Sequence, residues 1–294
     1  MKPVIEDLVK RAPALIDGAW GTQLQTRGLP IGACPDEWNL SNPDKVKDVA
    51  AAYVSAGSDI ILTNTFGANR LTLGRHGFAD RAVEINKAGV SASLSAVHGT
   101  EVRVFASIGP TGVMLAMGES TPEELLSVFT EQATALAEAG AHGIVVETMS
   151  DIDEATIAVK AAVATGLPVV ASMVYGAGKA LDRTIMGVTP EMAAEALESA
   201  GADVIGSNCG QGADTMLIIA QRLKAATKLP LWIKPNAGLP ELVDGAAVYR
   251  TSPEEWAVQA GALVSAGADF IGGCCGTSPV FITALTAALS KGTQ

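Results

Sequence analysis

The chain has 294 residues, of which 48% are hydrophobic and only 4% aromatic, and its formal net charge is −11. This acidity argues against nucleic-acid and anionic-membrane partners, because both require a basic protein face. The sequence has no signal-peptide pattern and no run near the roughly 20 apolar residues that span a bilayer. We therefore expect a cytoplasmic protein, in which the four cysteines do not form a disulfide scaffold.

Eight short apolar segments predict strands. In chain order they lie within residues 14–21, 52–65, 102–110, 135–150, 167–175, 196–210, 229–238 and 262–276. Helical segments precede seven of them, and four of those helices end in an Ala-Gly pair whose glycine suits a left-handed C-terminal cap. Strands that alternate with helices pair in parallel, so we predict an α/β fold, a single (β/α)8 TIM barrel over residues 1–294. A doubly wound open sheet is the alternative, but its phosphate-binding glycine fingerprint is missing.

Polar residues directly follow most of these strands. The eight strand ends are Asp17-Gly18, Thr63-Asn64-Thr65, Gly109-Pro110, Glu147-Thr148, Ser172-Met173, Asn208-Cys209, Lys234-Pro235-Asn236 and Cys274-Cys275. In a (β/α)8 barrel the carboxyl ends of the strands meet at one face, and the active site lies there. Three of the four cysteines belong to this set, so we expect them to face one another.

Cys209 follows the sixth predicted strand, and Cys274 and Cys275 follow the eighth. Both strands flank the seventh, so the three thiols should converge over the barrel mouth with Asn236 between them. Three thiolates on a rigid scaffold match a Zn²⁺ site with Zn–S bonds of about 2.3 Å. Soft sulfur ligands favour zinc over magnesium or calcium, and three protein ligands leave a fourth position open, which is typical of a catalytic site.

The alternative is that these cysteines are buried and inert, since free cysteine is among the most buried residue types. For Cys34 we prefer that interpretation, or a mobile loop thiol, because "GACPDEW" contains no second ligand. For three thiols at coordinated strand ends, two of them adjacent, we prefer a metal site. A redox role is not excluded by the spacing, but the C-x-x-C arrangement is absent.

An all-sulfur shell also limits the chemistry of the predicted site. Three thiolates donate enough charge to make a metal-bound water a poor acid, which disfavours hydrolysis. A substrate thiol in the open position would lose its proton and stay nucleophilic near neutral pH. The residues therefore predict alkyl transfer to a thiol.

Motifs along almost the whole chain resemble the homocysteine S-methyltransferase family. They are "DGAWGTQLQTRGL" (17–29), "TNTFGANR" (63–70), "GPTG" (109–112), "ETMSD" (147–151), "SNCG" (207–210), "KPNAGLP" (234–240) and "GGCCGT" (272–277). The pattern is most similar to the homocysteine-binding barrels of cobalamin-dependent methionine synthases. The resemblance implies a (β/α)8 barrel with Zn²⁺ on Cys209, Cys274 and Cys275, which binds homocysteine through its sulfur and yields methionine.

The amino-acid part of homocysteine also needs recognition. Asp17 and Glu147, at the ends of the first and fourth predicted strands, are candidates to hold its ammonium group, and the family resemblance favours Glu147. Backbone N–H groups near Gly18 and Ala19 could meet the carboxylate, because glycine permits close approach. Asn236 is a candidate supporting group, or a substitute zinc ligand before the substrate arrives. For each acid the alternative is a helix cap or an ion pair at the barrel rim.

The methyl donor is the least determined feature. None of the three histidines has the aspartate of a D-x-H-x-x-G cobalamin signature, so a methyl-corrinoid would come from a separate protein or from solution. Betaine-dependent relatives carry an aromatic residue where this chain has Gly67, which disfavours a quaternary ammonium donor. Trp20, Trp38 and Tyr175 could still provide aromatic contacts. We expect a methyl-corrinoid donor, with betaine or S-methylmethionine as the alternative.

Two further functions remain open at this stage. A zinc- and thiol-binding protein without turnover would use the same cysteines, although the clustered acids and the open metal position favour an enzyme. A barrel lyase would require a Schiff-base lysine, for which Lys234 is the only candidate at a strand end. The following "PN" favours a structural lysine instead.

Overall fold

The computed structural model describes residues 2–243 and 246–291 of the chain. The strands are β1 (Ala14–Leu15), β2 (Ile60–Ile61), β3 (Arg103–Ile108), β4 (Gly143–Met149), β5 (Val169–Met173), β6 (Val204–Cys209), β7 (Leu231–Pro235), β8 (Glu241–Val243), β9 (Ala246–Val248) and β10 (Phe270–Ile271). The α-helices are α1 (Pro3–Val9), α2 (Gly21–Thr26), α3 (Trp38–Ser41), α4 (Pro43–Ser55), α5 (Arg70–Gly74), α6 (Ala82–Val97), α7 (Pro122–Glu138), α8 (Ile152–Val163), α9 (Pro190–Ser199), α10 (Ala213–Ala226), α11 (Pro253–Ser265) and α12 (Pro279–Lys291). Short 3₁₀ turns cover Ala79–Arg81 and Leu115–Met117.

Eight strands form one parallel sheet in the order β1-β10-β7-β6-β5-β4-β3-β2. Its two edges also meet, because Ile16 and Ile60 form a parallel bridge and the Asp17 N–H donates to the Ile60 carbonyl at 3.0 Å. The sheet is therefore a nearly closed barrel with helices between its strands, which confirms the predicted (β/α)8 fold. An antiparallel hairpin of β8 and β9 follows β7 and was not predicted from the sequence.

The repeated Ala-Gly pairs end their helices as predicted. Gly57, Gly140, Gly201 and Gly267 have φ angles of 100°, 93°, 101° and 105°. Residues with a Cβ pay roughly 1–2 kcal/mol to adopt this left-handed conformation, whereas glycine does not. Each glycine turns the chain from a helix into the next strand. None of the helices within the described ranges is long and apolar enough to cross a membrane.

The barrel interior is apolar at one end and polar at the other. Trp232 lies in its centre, with the Phe105 ring centroid 6.2 Å away and the Phe270 centroid 5.7 Å away. Helix α1 packs Ile5 and Leu8 against this interior cluster and so closes the end at which the strands begin. Burial of these side chains removes a large apolar area from water, and the polar strand ends remain at the opposite face.

Candidate metal centre

Cys209, Cys274 and Cys275 meet at the carboxyl ends of the strands, as predicted. Cys209 is the last residue of β6, and the other two follow β10. The three sulfur atoms all lie within 4.8 Å of one another, and the sulfurs of Cys209 and Cys275 are 3.8 Å apart. A cluster of this kind can hold a metal ion through three sulfur ligands.

Backbone hydrogen bonds fix the loop that carries the adjacent cysteines. The Cys274 N–H donates to the Pro235 carbonyl, and the Ala237 N–H donates to the Cys275 carbonyl, each at 2.9 Å. The Thr277 hydroxyl donates to the Cys274 carbonyl at 2.7 Å. Because these bonds use main-chain groups of the cysteines, the loop keeps its place independently of the thiol side chains.

The three neighbouring thiols need a positive charge close by if all of them are to ionise. Hydrogen bonds from Cys274 and Cys275 hold the pKa of Cys209 well below its usual range. The pKa values of Cys274 and Cys275 are raised, in both cases first through their interaction with the Cys209 sulfur. Three sulfurs this close cannot all ionise without a compensating positive charge. The arrangement therefore suits a divalent ion, which would stabilise all three as thiolates.

Cys209 also has a strained backbone. Its φ angle is 64°, in the left-handed region that disfavours residues with a Cβ, and Thr148 in β4 also has a positive φ angle, of 61°. Strain of this kind concentrates at functional sites, where the surrounding structure enforces it.

This strain gives a stability prediction for the metal-free protein. We expect Cys209→Gly to have a free energy of unfolding about 1 kcal/mol higher than Cys209→Ala, because only glycine adopts the left-handed conformation without penalty. Urea unfolding of the two variants measures the difference. The same pair at Cys275, whose φ is not positive, should show the opposite order, because there glycine only adds chain entropy to the unfolded state. A Cys209→Ala variant as stable as Cys209→Gly would contradict the argument.

Asn236 is the residue that directly follows β7, and it lies beside the cysteines. Its Nδ2 donates to the Gly210 carbonyl at 2.7 Å, while its buried Oδ1 has no hydrogen-bond partner among the described residues. A buried amide oxygen without a partner costs free energy. It is available to a cation or to a donor group of a ligand.

Glu147 lies in β4, two residues before that strand ends. Its side chain is buried, and its Oε1 accepts a hydrogen bond from the Ser107 hydroxyl at 2.5 Å. Burial raises the pKa of Glu147 to about 7, the charge of nearby Lys234 opposes this shift, and the charge of Cys274 adds to it. A carboxyl group poised near neutrality in a polar mouth is a candidate binding group.

Both carboxylate oxygens of Asp17 have hydrogen-bond partners within the protein. One carboxylate oxygen pairs with the Lys234 ammonium at 2.6 Å, and the other accepts from the Trp20 indole at 2.8 Å and from the Leu62 N–H at 2.7 Å. Both members of the ion pair are buried. Burial alone would lower the pKa of Lys234, but the charges of Asp17 and Glu147 outweigh that effect and raise it. A charged, paired lysine supports the structural interpretation of Lys234 over a Schiff-base role.

The ion pair gives a second stability prediction. Lys234→Met should lower the free energy of unfolding by about 3–5 kcal/mol, because it leaves the Asp17 carboxylate buried and unpaired. Removing both charges, with Asp17→Asn added, should restore part of the loss. Lys10→Met, which breaks an exposed ion pair with Asp7, is the control and should change little. Equal losses from Lys234→Met and the double variant would exclude the proposed coupling.

Gly18 and Ala19 are the two predicted carboxylate contacts, and Gly18 is tightly packed whereas Ala19 has hydrogen-bond partners within the protein. A Cβ on Gly18 would lie 2.6 Å from the Thr277 hydroxyl and 2.8 Å from the Tyr53 hydroxyl. The Ala19 N–H donates to Thr277 Oγ1 at 3.2 Å, and the Ala19 carbonyl accepts from Tyr53 at 2.7 Å. Packing between the first and last strand ends therefore already requires glycine here, and the contact with a carboxylate stays a prediction.

Two residues at the centre, Tyr249 and Asn208, were not assigned a role from the sequence. Tyr249 packs its ring onto Gly276, where a Cβ would lie 2.3 Å from the ring; burial and the charges of the cysteines, Cys275 first, raise its pKa to about 12. No motif marked this tyrosine. Asn208 donates towards the Cys274 sulfur at 3.8 Å, and its place directly before Cys209 was the available signal.

The remaining candidates lie apart from the cluster. Cys34 is buried with its sulfur 3.9 Å from an oxygen of Asp36 and is not part of the three-cysteine group. His142 lies before β4 and accepts a hydrogen bond from the Val104 N–H at 2.9 Å. The loop after β5 contains an antiparallel bridge between Ala177 and Arg183.

Comparisons with known proteins agree with this geometry. The sequence model of the family described as homocysteine S-methyltransferase matches residues 14–289. A methionine synthase of Mycobacterium tuberculosis is 31% identical over 303 residues, which cover 97% of this chain and 25% of that protein. A methionine synthase of Mycobacterium leprae is 30% identical over 98% of this chain and 25% of its own length. The chain thus spans about a quarter of the length of these curated relatives.

Solved structures show the same fold. The homocysteine methyltransferase MmuM of Escherichia coli, in its metallated form, has a TM-score of 0.81 at 23% identity, covering 97% of this chain and 99% of that chain. The oxidized form of MmuM gives a TM-score of 0.82 at 21% identity, with coverages of 97% and 99%. At these identities the likeness establishes the barrel architecture.

Proposed function

The chain belongs to the homocysteine S-methyltransferase family, and on this premise we propose that it transfers a methyl group to the thiol of homocysteine, which gives methionine. The observation that carries the proposal is the convergence of Cys209, Cys274 and Cys275 at the barrel mouth. Their sulfurs form a soft, three-ligand donor set, which suits Zn²⁺ and leaves a further position for a substrate.

Zinc on these ligands would supply Lewis acidity that keeps a coordinated thiol nucleophilic near neutral pH. The chain contributes the rest of the site. The three cysteines would hold the ion at the open face, and the unpartnered Oδ1 of Asn236 supports its proposed role as a substitute ligand until the thiol binds. The apolar interior beneath the strand ends excludes water from below the site.

We assign the ammonium group of homocysteine to Glu147. Its buried carboxyl has one hydrogen bond from Ser107 and capacity for further donors, whereas both oxygens of Asp17 are occupied by internal partners. Asp17 then acts through Lys234 and Trp20 to hold the first strand end in place. Backbone N–H groups at Gly18 and Ala19 remain our proposal for the carboxylate, and the Ala19 N–H would exchange its 3.2 Å hydrogen bond to Thr277 Oγ1 for that contact.

We propose a methyl-corrinoid, bound to a separate protein or free, as the methyl donor. A small onium donor requires an aromatic cage, and the position at which betaine-dependent relatives carry an aromatic residue is blocked. A Cβ on Gly67 would lie 2.8 Å from Asp36 Oδ2, and the Gly67 N–H donates to Asp36 Oδ1 at 3.0 Å. An aromatic side chain there would have to displace a buried carboxyl group.

Methionine formation tests the proposal. Zinc-loaded protein and homocysteine are incubated in parallel with methylcobalamin, glycine betaine and S-methylmethionine, and metal-free protein serves as the control. Methionine from methylcobalamin alone is the expected result. Methionine from either onium compound would replace the proposed donor. Homocysteine binding without methionine from any donor would favour a zinc- and thiol-binding protein that does not turn over.

A further inference from the structure

The side chain of Asn208 is fully buried and uses all its hydrogen-bonding groups. Its Oδ1 accepts from the Thr148 N–H at 2.9 Å and from the Ser172 hydroxyl at 2.7 Å. Its Nδ2 donates to Thr148 Oγ1 at 2.7 Å and towards the Cys274 sulfur at 3.8 Å. An asparagine amide offers two donors and two acceptor sites, so this amide is satisfied completely.

The orientation of the amide is determined by one partner. The Thr148 N–H can only donate, so the group that faces it must be Oδ1. Reversal of the amide would set two donors against each other there. The Nδ2 group therefore points to the Cys274 sulfur, and a donor at this place favours a thiolate over a neutral thiol.

The same side chain connects four separate parts of the barrel. Thr148 is in β4, Ser172 in β5, Asn208 itself in β6, and Cys274 in the loop after β10. The backbone is strained on both sides of this contact. Thr148, which the amide contacts, and Cys209, which follows Asn208 in the chain, both have positive φ angles. Such conformations persist only where surrounding contacts enforce them. A single amide thus links the strained residue Thr148, the strand end that carries Cys209 and one predicted metal ligand, Cys274.

We propose that Asn208 is a positioning residue of the metal centre, which holds the Cys274 sulfur through an N–H···S hydrogen bond and aligns the strand end that carries Cys209. This inference rests on the proposed metal site and extends it to a residue outside the ligand set. The hydrogen bond withdraws charge from one thiolate and orients it, as partners of metal ligands do. Loss of such partners weakens metal binding by about 10- to 100-fold.

The test separates the donor to sulfur from the rest of the network. Asn208→Asp is nearly isosteric and keeps an oxygen for the Thr148 N–H and the Ser172 hydroxyl, but it sets an oxygen against the Cys274 sulfur. Ser172→Ala is the matched control, because it removes one hydrogen bond to the same amide and leaves the N–H···S contact. Asn208→Ala is a second variant that introduces no charge.

Two readouts are measured on the full chain without substrate: the dissociation constant for zinc, by competition with a chromophoric chelator, and the sulfur-to-metal charge-transfer band of the cobalt(II)-loaded protein. We expect both Asn208 variants to bind zinc about 10- to 100-fold more weakly, with the charge-transfer band at longer wavelength. Ser172→Ala should keep the native band position.

Native zinc affinity and a native band in Asn208→Asp would overturn the proposal. An equal band shift in Ser172→Ala would also overturn it, because the effect would then belong to general packing of the strand ends. Urea unfolding of metal-free Asn208→Ala shows whether that variant is folded before its metal affinity is interpreted. The wild-type readings keep the two proposals apart, since failure of the wild type to bind cobalt or zinc would instead reject the metal site of the proposed function.

Discussion

Cys275→Ser is expected to abolish zinc retention and lower methionine formation by well over the roughly 100-fold effect of losing an outer partner of a metal ligand. Serine offers a weakly acidic hydroxyl in place of a soft thiolate. The two remaining cysteines cannot make up for the lost third sulfur. The barrel should stay folded, because the loop is tied to β7 through the backbone bonds of Cys274 to Pro235 and of Ala237 to Cys275. Zinc content after dialysis, the rate of methionine formation and far-UV circular dichroism measure the three effects.

The matched control for this prediction is Cys34→Ala. Cys34 is buried away from the three-cysteine group, so its removal should leave zinc content and turnover near wild type. Activity that survives Cys275→Ser or Cys209→Ser undiminished would reject the metal-centred mechanism. Activity lost in Cys34→Ala with zinc intact would show that a thiol outside the cluster takes part.

Glu147→Gln is expected to raise the KM for homocysteine by roughly 10- to 100-fold while zinc content stays unchanged, because hydrogen bonds to charged groups contribute about 1.5–3 kcal/mol. Glutamine can keep the hydrogen bond of the Ser107 hydroxyl, so the variant removes the charge and little else. Steady-state kinetics together with metal analysis measure both parts. Glu154→Gln is the matched control, since that buried glutamate binds the Thr111 N–H and hydroxyl and has no assigned substrate contact.

The KM of the wild-type protein should also show a pH dependence that Glu147→Gln lacks. Because the pKa of Glu147 is raised to about 7, first by burial, its carboxyl is neutral below that pH and cannot attract the ammonium group. The ratio of the variant KM to the wild-type KM should therefore increase as pH rises through about 7. The ratio cancels the ionisation of the homocysteine thiol itself, which affects both proteins alike. Loss of zinc from Glu147→Gln with an unchanged KM would reject the assignment.

The fold and the cysteine cluster were predictable because both depend on short-range patterns. An Ala-Gly helix end followed by an apolar strand recurs locally, and glycine is needed there for its left-handed φ, as Gly57 and Gly267 illustrate. Parallel strands place their carboxyl ends together, so residues that follow strands share one face whatever their distance in sequence. This rule brings Cys209 to Cys274 and Cys275.

The partners of buried charges were not predictable in the same way. Asp17 was one of two candidates for the ammonium group, and its carboxylate pairs with Lys234, 217 residues away. A strand-end position specifies which face a side chain occupies but not which neighbour it contacts. Close packing and the cost of leaving a buried charge unpaired decide that choice. Tyr249 follows the β8–β9 hairpin, which was not predicted, and its contact with Gly276 likewise depends on long-range packing.

The sequence alone therefore determined the (β/α)8 barrel, the face at which its polar residues meet and the three-cysteine cluster, because periodicity, helix caps and strand-end positions are local properties. Only the tertiary structure decided the state of each group at that face. The burial that raises the pKa of Glu147, the ion pair that occupies Asp17 and the amide of Asn208 that faces the Cys274 sulfur all depend on atoms brought together from different strands. Desolvation and hydrogen-bond geometry act over a few ångströms, and those distances exist only once the barrel has closed.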